Sequence, residues 1–439
     1  MKYLPRPLAA LLFLLPFALL AQEKKEAPWV VKISADRADA LYKVGETVKF
    51  QVSLLDGAKN PVAGRKIRIS IDKEYAPAQS VEIETKETPV EIPASLDRPG
   101  FILAACYPFE YEAGKKTVNA YGGAGFEPTR IRPGRACPPD FDAYWASQKA
   151  RLAKIPLKFR LEPVAVASNN QGKIEAFDVR IDCVNNLPVS GYYARPAKAT
   201  AKSLPALLSV QGAGVRSSSR QDGRALNGLI AMDINAHGIS NGQPAAYYKY
   251  IETNVLVGYP SWGNSNRDTT YFNGMFLRVL RALEFLKAQP EWDGKTLIIM
   301  GGSQGGAQSI MGAALDPQIT ACYAYVTAMC NHHGPMGGTK AGWPRWVAFT
   351  GFTNATNAAN RDAAGYYDMC HFAPRIKAKT YANVGFIDTT CAPSSVYAMF
   401  NSITAPKKMA HYIESGHSIP GKAYQDAEAD LAEYLKSLK

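Results

Sequence analysis

The sequence predicts an α/β fold, a mostly parallel sheet with helices on both faces, preceded by a small all-β sandwich of immunoglobulin type. Three observations carry that reading. Residues from Val30 to about Gly125 alternate apolar and polar with no helical period. Beyond about Pro138, short apolar runs alternate with helical patterns. One such run, Leu297-Ile298-Ile299-Met300, passes straight into Gly301-Gly302-Ser303-Gln304-Gly305-Gly306. Period two marks strands buried on one face, and short continuous apolar runs mark strands covered on both.

Taken from the N-terminus, Lys2 and Arg6 precede the apolar run Leu8 to Leu20, which ends at Ala21 and meets Glu23-Lys24-Lys25-Glu26. A basic start, an apolar stretch and a small residue predict an export signal over residues 1–21, and so a periplasmic or secreted mature protein starting near Gln22. The run is short for a membrane span, no later stretch supplies the ~20 apolar residues a span needs, and no cysteine follows it. No stable membrane anchor is therefore expected. With 47% hydrophobic and 20% charged residues the chain reads as an ordinary globular protein. Its formal charge of +12 falls to +10 without Lys2 and Arg6, and the lysines and arginines are scattered. That describes a solvated basic surface; without a basic block interleaved with aromatics, no nucleic-acid partner is expected. The seven cysteines include no Cys-x-x-Cys, and an exported chain can hold disulfides or buried thiols.

Residues 22–127 form the expected sandwich. Val48, Phe50, Val52 and Leu54 alternate with Thr47, Lys49, Gln51 and Ser53, and Ile67, Ile69 and Ile71 with Lys66, Arg68 and Ser70. Asp56-Gly57, Asn60-Pro61 and Ala63-Gly64 are turns, and Phe101–Cys106 and Thr117–Tyr121 supply later strands. Roughly seven strands in about a hundred residues suit the immunoglobulin pattern. Nothing here assembles a catalytic constellation, so carbohydrate binding, a spacer and an oligomer contact all remain open. From Gly122-Gly123-Ala124-Gly125 to Pro139 chain breakers are dense, and the stretch reads as a linker.

Residues 128–439 form the second domain. A helix follows Pro139 through Leu152, a hairpin pairs Ile174–Ile181 with Val189–Ala194, and Ala206–Val210 and Leu229–Asn235 read as strands. Tyr271 to Ala288 is a helix whose apolar face leaves out Arg278 and Arg281. The apolar run into Gly301-Gly302-Ser303-Gln304-Gly305 then reads as the nucleophile elbow of an α/β-hydrolase, a tight strand-to-helix turn that presents the serine. Glycines let the two elements approach, and the helix N-terminus turns its N–H groups toward the reacting oxygen. Gln211-Gly212-Ala213-Gly214 follows a buried strand, where such folds place one oxyanion donor. The expected donors are the N–H groups of Ala213 and Gln304.

Serine needs a base and the base an orienting acid, in the chain order Ser, Asp or Glu, His. His417 lies in a turn just past the strand-like Ala410–Ile413. His411 would face into the sheet, and His371 sits in a Cys-His-Phe-Ala-Pro loop. Tyr381–Ile387 reads as a strand that releases Asp388 at its C-terminal end, before a helix starting near Pro393. Strand ends of this kind carry function in open α/β sheets. The candidate catalytic residues are Ser303, Asp388 and His417.

Several motifs agree in order with a known family. Pro139-Asp140-Phe141-Asp142, Arg278, Arg281-Ala282-Leu283-Glu284, Gly301–Gly306, Phe372-Ala373-Pro374-Arg375, Val384–Ser394 and Ser415-Gly416-His417 together resemble the acetyl xylan esterase and cephalosporin C deacetylase family, carbohydrate esterase family seven. The resemblance spans roughly Pro138 to Lys439. It implies an α/β-hydrolase that removes acetyl groups from acetylated oligosaccharide or polysaccharide, uses no metal or cofactor, and often forms closed homo-oligomers. Ser303 is then the nucleophile, His417 the base and Asp388 its orienter. The chain departs from the family at Gln211-Gly212-Ala213, where His-Gly-Tyr is common, at Asp233–Gly238, where an Arg-Gly-Gln type of loop is usual, and in its added sandwich. Other readings are a broader carboxylesterase or peptidase on the same fold, and a sugar-binding protein with an inert hydrolase domain.

Overall fold

A computed structural model describes residues 27–347 and 355–438. The expected export segment, residues 1–21, lies outside them. Among the described residues no helix is long and apolar enough to cross a membrane.

The period-two region folds into β1 (Val30–Ser34), β2 (Leu41–Tyr42), β3 (Thr47–Leu55), β4 (Lys66–Asp72), β5 (Gln79–Glu84), β6 (Val90–Ser95), β7 (Gly100–Cys106), β8 (Glu110–Glu112), β9 (Lys115–Lys116) and β10 (Ala120–Phe126). One sheet has the order β1-β3-β6 and the other β2-β10-β7-β4-β5, while β8 and β9 form a separate hairpin. Inward residues such as Phe50, Val52, Leu54, Ile69 and Ile102 close a core between the two sheets. The strands β2, β8 and β9 are too short to show a period, and they account for the excess over the seven expected.

The Gly122-Gly123-Ala124-Gly125 stretch, expected to be linker, belongs to β10 and pairs antiparallel with β7. Its glycines answer crowding. A Cβ on Gly122 would lie 2.7 Å from Ile33 Cγ2, and one on Gly123 would lie 2.5 Å from the carbonyl oxygen of Phe386 in the second domain.

That domain carries β11 (Phe159–Pro163), β12 (Ile174–Ile181), β13 (Val189–Pro196), β14 (Leu204–Val210), β15 (Ile230–Ile234), β16 (Trp292–Gly302), β17 (Ala321–Tyr325), β18 (Lys379–Gly385) and β19 (Lys407–Tyr412). They form one sheet in the order β11-β12-β13-β15-β14-β16-β17-β18-β19. Pairing is antiparallel from β11 through the β13–β15 junction and parallel from there on. The helices are α1 (Phe141–Ala153), α2 (Asp222–Leu226), α3 (Ala245–Tyr250), α4 (Tyr271–Lys287), α5 (Gln304–Leu315), α6 (Ala355–Ala364), α7 (Met369–Phe372), α8 (Pro393–Ser402) and α9 (Gly421–Lys436). Alternation sends Leu208 and Ile299 to the core shared with α1, α4, α5 and α8, and Leu207 and Ile298 to a second core closed by α9.

Helix α4 corrects one expectation. Arg278 and Arg281, read as lying outside its apolar face, are each 2% exposed. Both donate to carbonyls at the ends of other elements, Arg278 Nη2 to Ala236 O at 2.7 Å and Arg281 Nη2 to Leu152 O and Ile155 O at 2.8 and 2.9 Å; Arg281 Nη1 also pairs with Glu284 at 3.0 Å, and the Nε of each has no partner among the described residues. All seven cysteines are free thiols, and all but Cys137 are buried.

Candidate active site

Strand β16 delivers Ser303 to the turn before α5 with φ 56° and ψ −121°, a strained conformation for a residue with a side chain. The glycines around it are required by contact. A Cβ on Gly305 would lie 2.3 Å from Val210 O, and one on Gly301 2.6 Å from the same oxygen, so β14 passes too close for any side chain. The Ser303 N–H donates to Tyr325 O at 2.8 Å, and its carbonyl accepts from Ala307 and Ala328. Backbone contacts thus fix the turn, leaving Oγ to other partners.

The loops after β18 and β19 supply those partners. They converge at Gly385, where a Cβ would lie 2.3 Å from Ser415 O. Asp388 is buried, and its Oδ1 accepts from the N–H groups of Thr390 and Cys391 at 2.8 and 2.9 Å. Its Oδ2 accepts from His417 Nδ1 at 2.9 Å, while His417 Nε2 stands 2.9 Å from Ser303 Oγ. With Nδ1 donating to the carboxylate, Nε2 is the acceptor for the serine proton. The other two downstream histidines lie elsewhere. His411 packs on Phe386 and meets Tyr397 OH at 2.6 Å. His371 lies in α7 rather than in a loop, buried against the carbonyls of Gly365 and Arg135.

On the opposite side the loop after β14 crosses over the serine. A Cβ on Gly212 would lie 3.7 Å from Ser303 Cβ, and Ala213 follows it directly. Gln304 is the first residue of α5, so its N–H has no acceptor within the helix.

Four residues that hold this loop were not picked out in the sequence. Gln308 Nε2 donates to Gln211 O at 2.9 Å. Asp233 Oδ2 accepts from Gln211 Nε2 at 3.1 Å and from Ser219 N at 2.6 Å. Burial pushes the Asp233 carboxyl up to about 7, against the pull of those two donors. His237 Nε2 donates to Gly214 O at 3.3 Å and its Nδ1 accepts from Tyr271 OH at 2.8 Å; burial drives the ring down to about 4, so it stays neutral. Tyr259 OH donates to Gln304 Oε1 at 2.7 Å. A signal existed for Asp233: it is the one carboxylate inside the apolar run Leu229–Ile234, toward the end of a strand, where sites form.

Asp388, Cys391 and His417 bring potential metal-ligand atoms within 4.8 Å of one another. The carboxylate oxygens and both ring nitrogens are already engaged. Burial, with the Asp388 charge beside it, holds the Cys391 thiol well above its usual range and so protonated. A metal there would have to displace the hydrogen bonds to Ser303 and Asp388.

The family model described as acetyl xylan esterase (AXE1) matches residues 127–437. The chain belongs to that family. Acetyl esterase Axe7A of Xylanibacter ruminicola is 31% identical over 388 residues, covering 85% of this chain and 83% of that protein, so the likeness reaches into the sandwich. Among solved structures, an acetyl xylan esterase from Paenibacillus sp. R4 aligns with TM-score 0.60 and 23% identity over 70% of this chain and 98% of its own. Acetyl xylan esterase 1 from a Thermoanaerobacterium species aligns with TM-score 0.58 and 23% identity, over 69% and 96% respectively. Those two show the α/β-hydrolase fold and leave nearly a third of this chain unmatched. As an acetyl xylan esterase family member, the chain is a hydrolase acting on carboxylic esters.

Proposed function

We propose that this chain is a serine esterase that removes acetyl groups from acetylated carbohydrate of the xylan or xylo-oligosaccharide type, through an acetyl-Ser303 intermediate. The observation that carries the reading is the unbroken path from Asp388 through His417 to Ser303, two hydrogen bonds of 2.9 Å each, ending at a strained elbow. His417 takes the Ser303 proton as Oγ attacks the acetyl carbonyl. Asp388 keeps Nδ1 protonated and stabilises the imidazolium that forms. Charge growing on the carbonyl oxygen is met by the N–H groups of Ala213 and Gln304. Collapse expels the sugar oxygen, which takes the His417 proton. Water then attacks acetyl-Ser303 with His417 again as base, and acetate leaves.

The acetyl group is supported by the family description and by the acetyl esterase that is 31% identical to this chain over 388 aligned residues. The basic, apolar and small-residue order of residues 1–21 supports action outside the cytoplasm. The test is acetate release from acetylated xylo-oligosaccharides by the purified protein and by folded Ser303→Ala, with an acetyl-to-butyryl ester series alongside. The reading expects release that Ser303→Ala abolishes, and rates that fall as the acyl chain lengthens against packed walls. Equal rates on butyryl esters, or turnover of a peptide instead, would replace it with a broader carboxylesterase or a peptidase.

A further inference from the structure

The loop after β14 brings a cation to the Ser303 pocket. Gly212, Ala213 and Gly214 carry a methyl group at most, and the side chain of Arg216 folds back over them, its Nη1 donating to Ala213 O at 2.9 Å. A Cβ on Gly214 would stand 2.9 Å from that same Nη1, and Gly214 sits at φ 112°. Glycine there gives the loop its turn and the guanidinium its place. A Cβ on Gly212 would meet Ser303 Cβ at 3.7 Å and Arg216 Nη2 at 3.8 Å. The serine and the guanidinium thus border the same space, which an ester enters with its carbonyl oxygen toward the N–H groups of Ala213 and Gln304.

The protein leaves this charge without a partner. Arg216 is exposed and forms no ion pair among the described residues. Asp233 feels its charge but is buried, with Oδ2 taken by Gln211 Nε2 and the Ser219 N–H. Asp388, on the other side of Ser303, is spent on Thr390, Cys391 and His417. His237, which holds Gly214 O, stays neutral. A guanidinium has five N–H donors in a planar fork, so most of the capacity of Arg216 remains for a carboxylate. The hydrogen bond to Ala213 steadies the fork, so less ordering opposes binding.

We propose that Arg216 selects acetyl esters whose alcohol half carries a carboxylate close to the ester. On the carbohydrate reading above, that substrate is an acetylated oligosaccharide substituted with a uronic acid. The selection rests on Ser303 as the nucleophile, and the uronic acid rests on the carbohydrate reading as well.

Hydrolysis of meta-acetoxybenzoate and meta-acetoxybenzamide, two acetyl esters that differ by one charge, tests the guanidinium without any sugar. The ratio of their kcat/KM values, acid over amide, should be roughly fivefold higher in the parent than in Arg216→Gln, the size of an ion pair open to solvent. Comparison with the variant cancels any difference in the intrinsic reactivity of the two esters. The parent's ratio should also fall toward the variant's as added salt screens the pair. Equal ratios in parent and variant would overturn the assignment and leave Arg216 as a support of the oxyanion loop alone; a ratio that salt leaves untouched would overturn it too. An acetylated methyl glucuronoside and the matching acetylated methyl glucoside then test the uronic acid, with the same change of ratio expected. Hydrolysis of both sugars without discrimination would strike the uronic acid. If the aryl pair responds and neither sugar is hydrolysed, the selection for a carboxylate stands and the carbohydrate reading falls.

Discussion

Ser303 and Asp388 sit within one hydrogen-bonded path, yet their surroundings are built differently. Around Ser303 the shaping contacts stay within a single sheet: Val210 O of β14 excludes any side chain at Gly301 and Gly305, and Tyr325 O of β17 receives the Ser303 N–H. Around Asp388 the sandwich takes part. Gly123 of β10 abuts Phe386, Glu74 reaches Ser394 from 320 positions earlier in the chain, and a chamber shared by both domains ends at Asp388. The difference teaches that Ser303 is positioned by a local motif, whereas the loop that carries Asp388 is also touched by the other domain.

The largest expected effect probes what the two sides share. Asp388→Asn and His417→Ala should each lower kcat by about 10⁴, and the double variant should cost little more, because the two residues act as one unit. Steady-state kinetics on one acetyl ester decides the matter. Multiplicative losses would show that Asp388 acts independently of His417, and the comparison would then have no common path to rest on.

Next comes the local side. Gly305→Ala places a methyl 2.3 Å from a backbone carbonyl, which cannot move without shifting β14. A destabilisation of about 3 kcal/mol or more is expected, read as a lower midpoint in denaturant. A stability near the parent's would mean the elbow has slack that the contact denies.

This contrast also explains what could be read in the sequence. The elbow was legible because its glycines, serine and apolar strand are contiguous, and His417 and Asp388 were legible because each follows a strand-like run in the required order. The glycines of β10 were misread as linker because the atoms that demand them, on Ile33 and Phe386, lie far away in sequence. Arg278 and Arg281 were misplaced because helical periodicity reports one apolar face, while α4 is buried nearly all round and ends its arginines on distant carbonyls. Asp233, His237 and Tyr259 escaped for a related reason. Each acts by touching a loop that no spacing in the chain connects to it.

On the two-domain side, Gly123→Ala should push against Phe386, two residues before Asp388. The expected result is a roughly tenfold fall in kcat, since small misplacements of a catalytic group are costly, with KM for a small acetyl ester nearly unchanged. Unchanged kcat in a folded variant would show that the sandwich only rests on the acid loop and does not shape it.

The smallest effect concerns pH at the same junction. Burial, the leading cause, lifts the Glu74 carboxyl from an ordinary 4.5 to about 7, opposed by the Ser394 hydroxyl and by Lys340. The folded protein therefore holds this proton more tightly than the unfolded chain does. Its contribution to stability is complete below pH 4.5 and is lost as pH rises through about 7. A shift of this size corresponds at most to ~3 kcal/mol, and partial contact with solvent reduces it to on the order of 1 kcal/mol. Asp233, also raised to about 7 by burial, contributes in the same direction, so the wild-type slope alone does not isolate Glu74. The comparison with Glu74→Gln does. The parent should lose more stability between pH 5 and pH 8 than the variant, measured as urea midpoints at the two values. Parallel losses would mean that Glu74 keeps an ordinary carboxylate's affinity for its proton, and that the junction it lines is wetter than its contacts with Ser394 and Phe101 require.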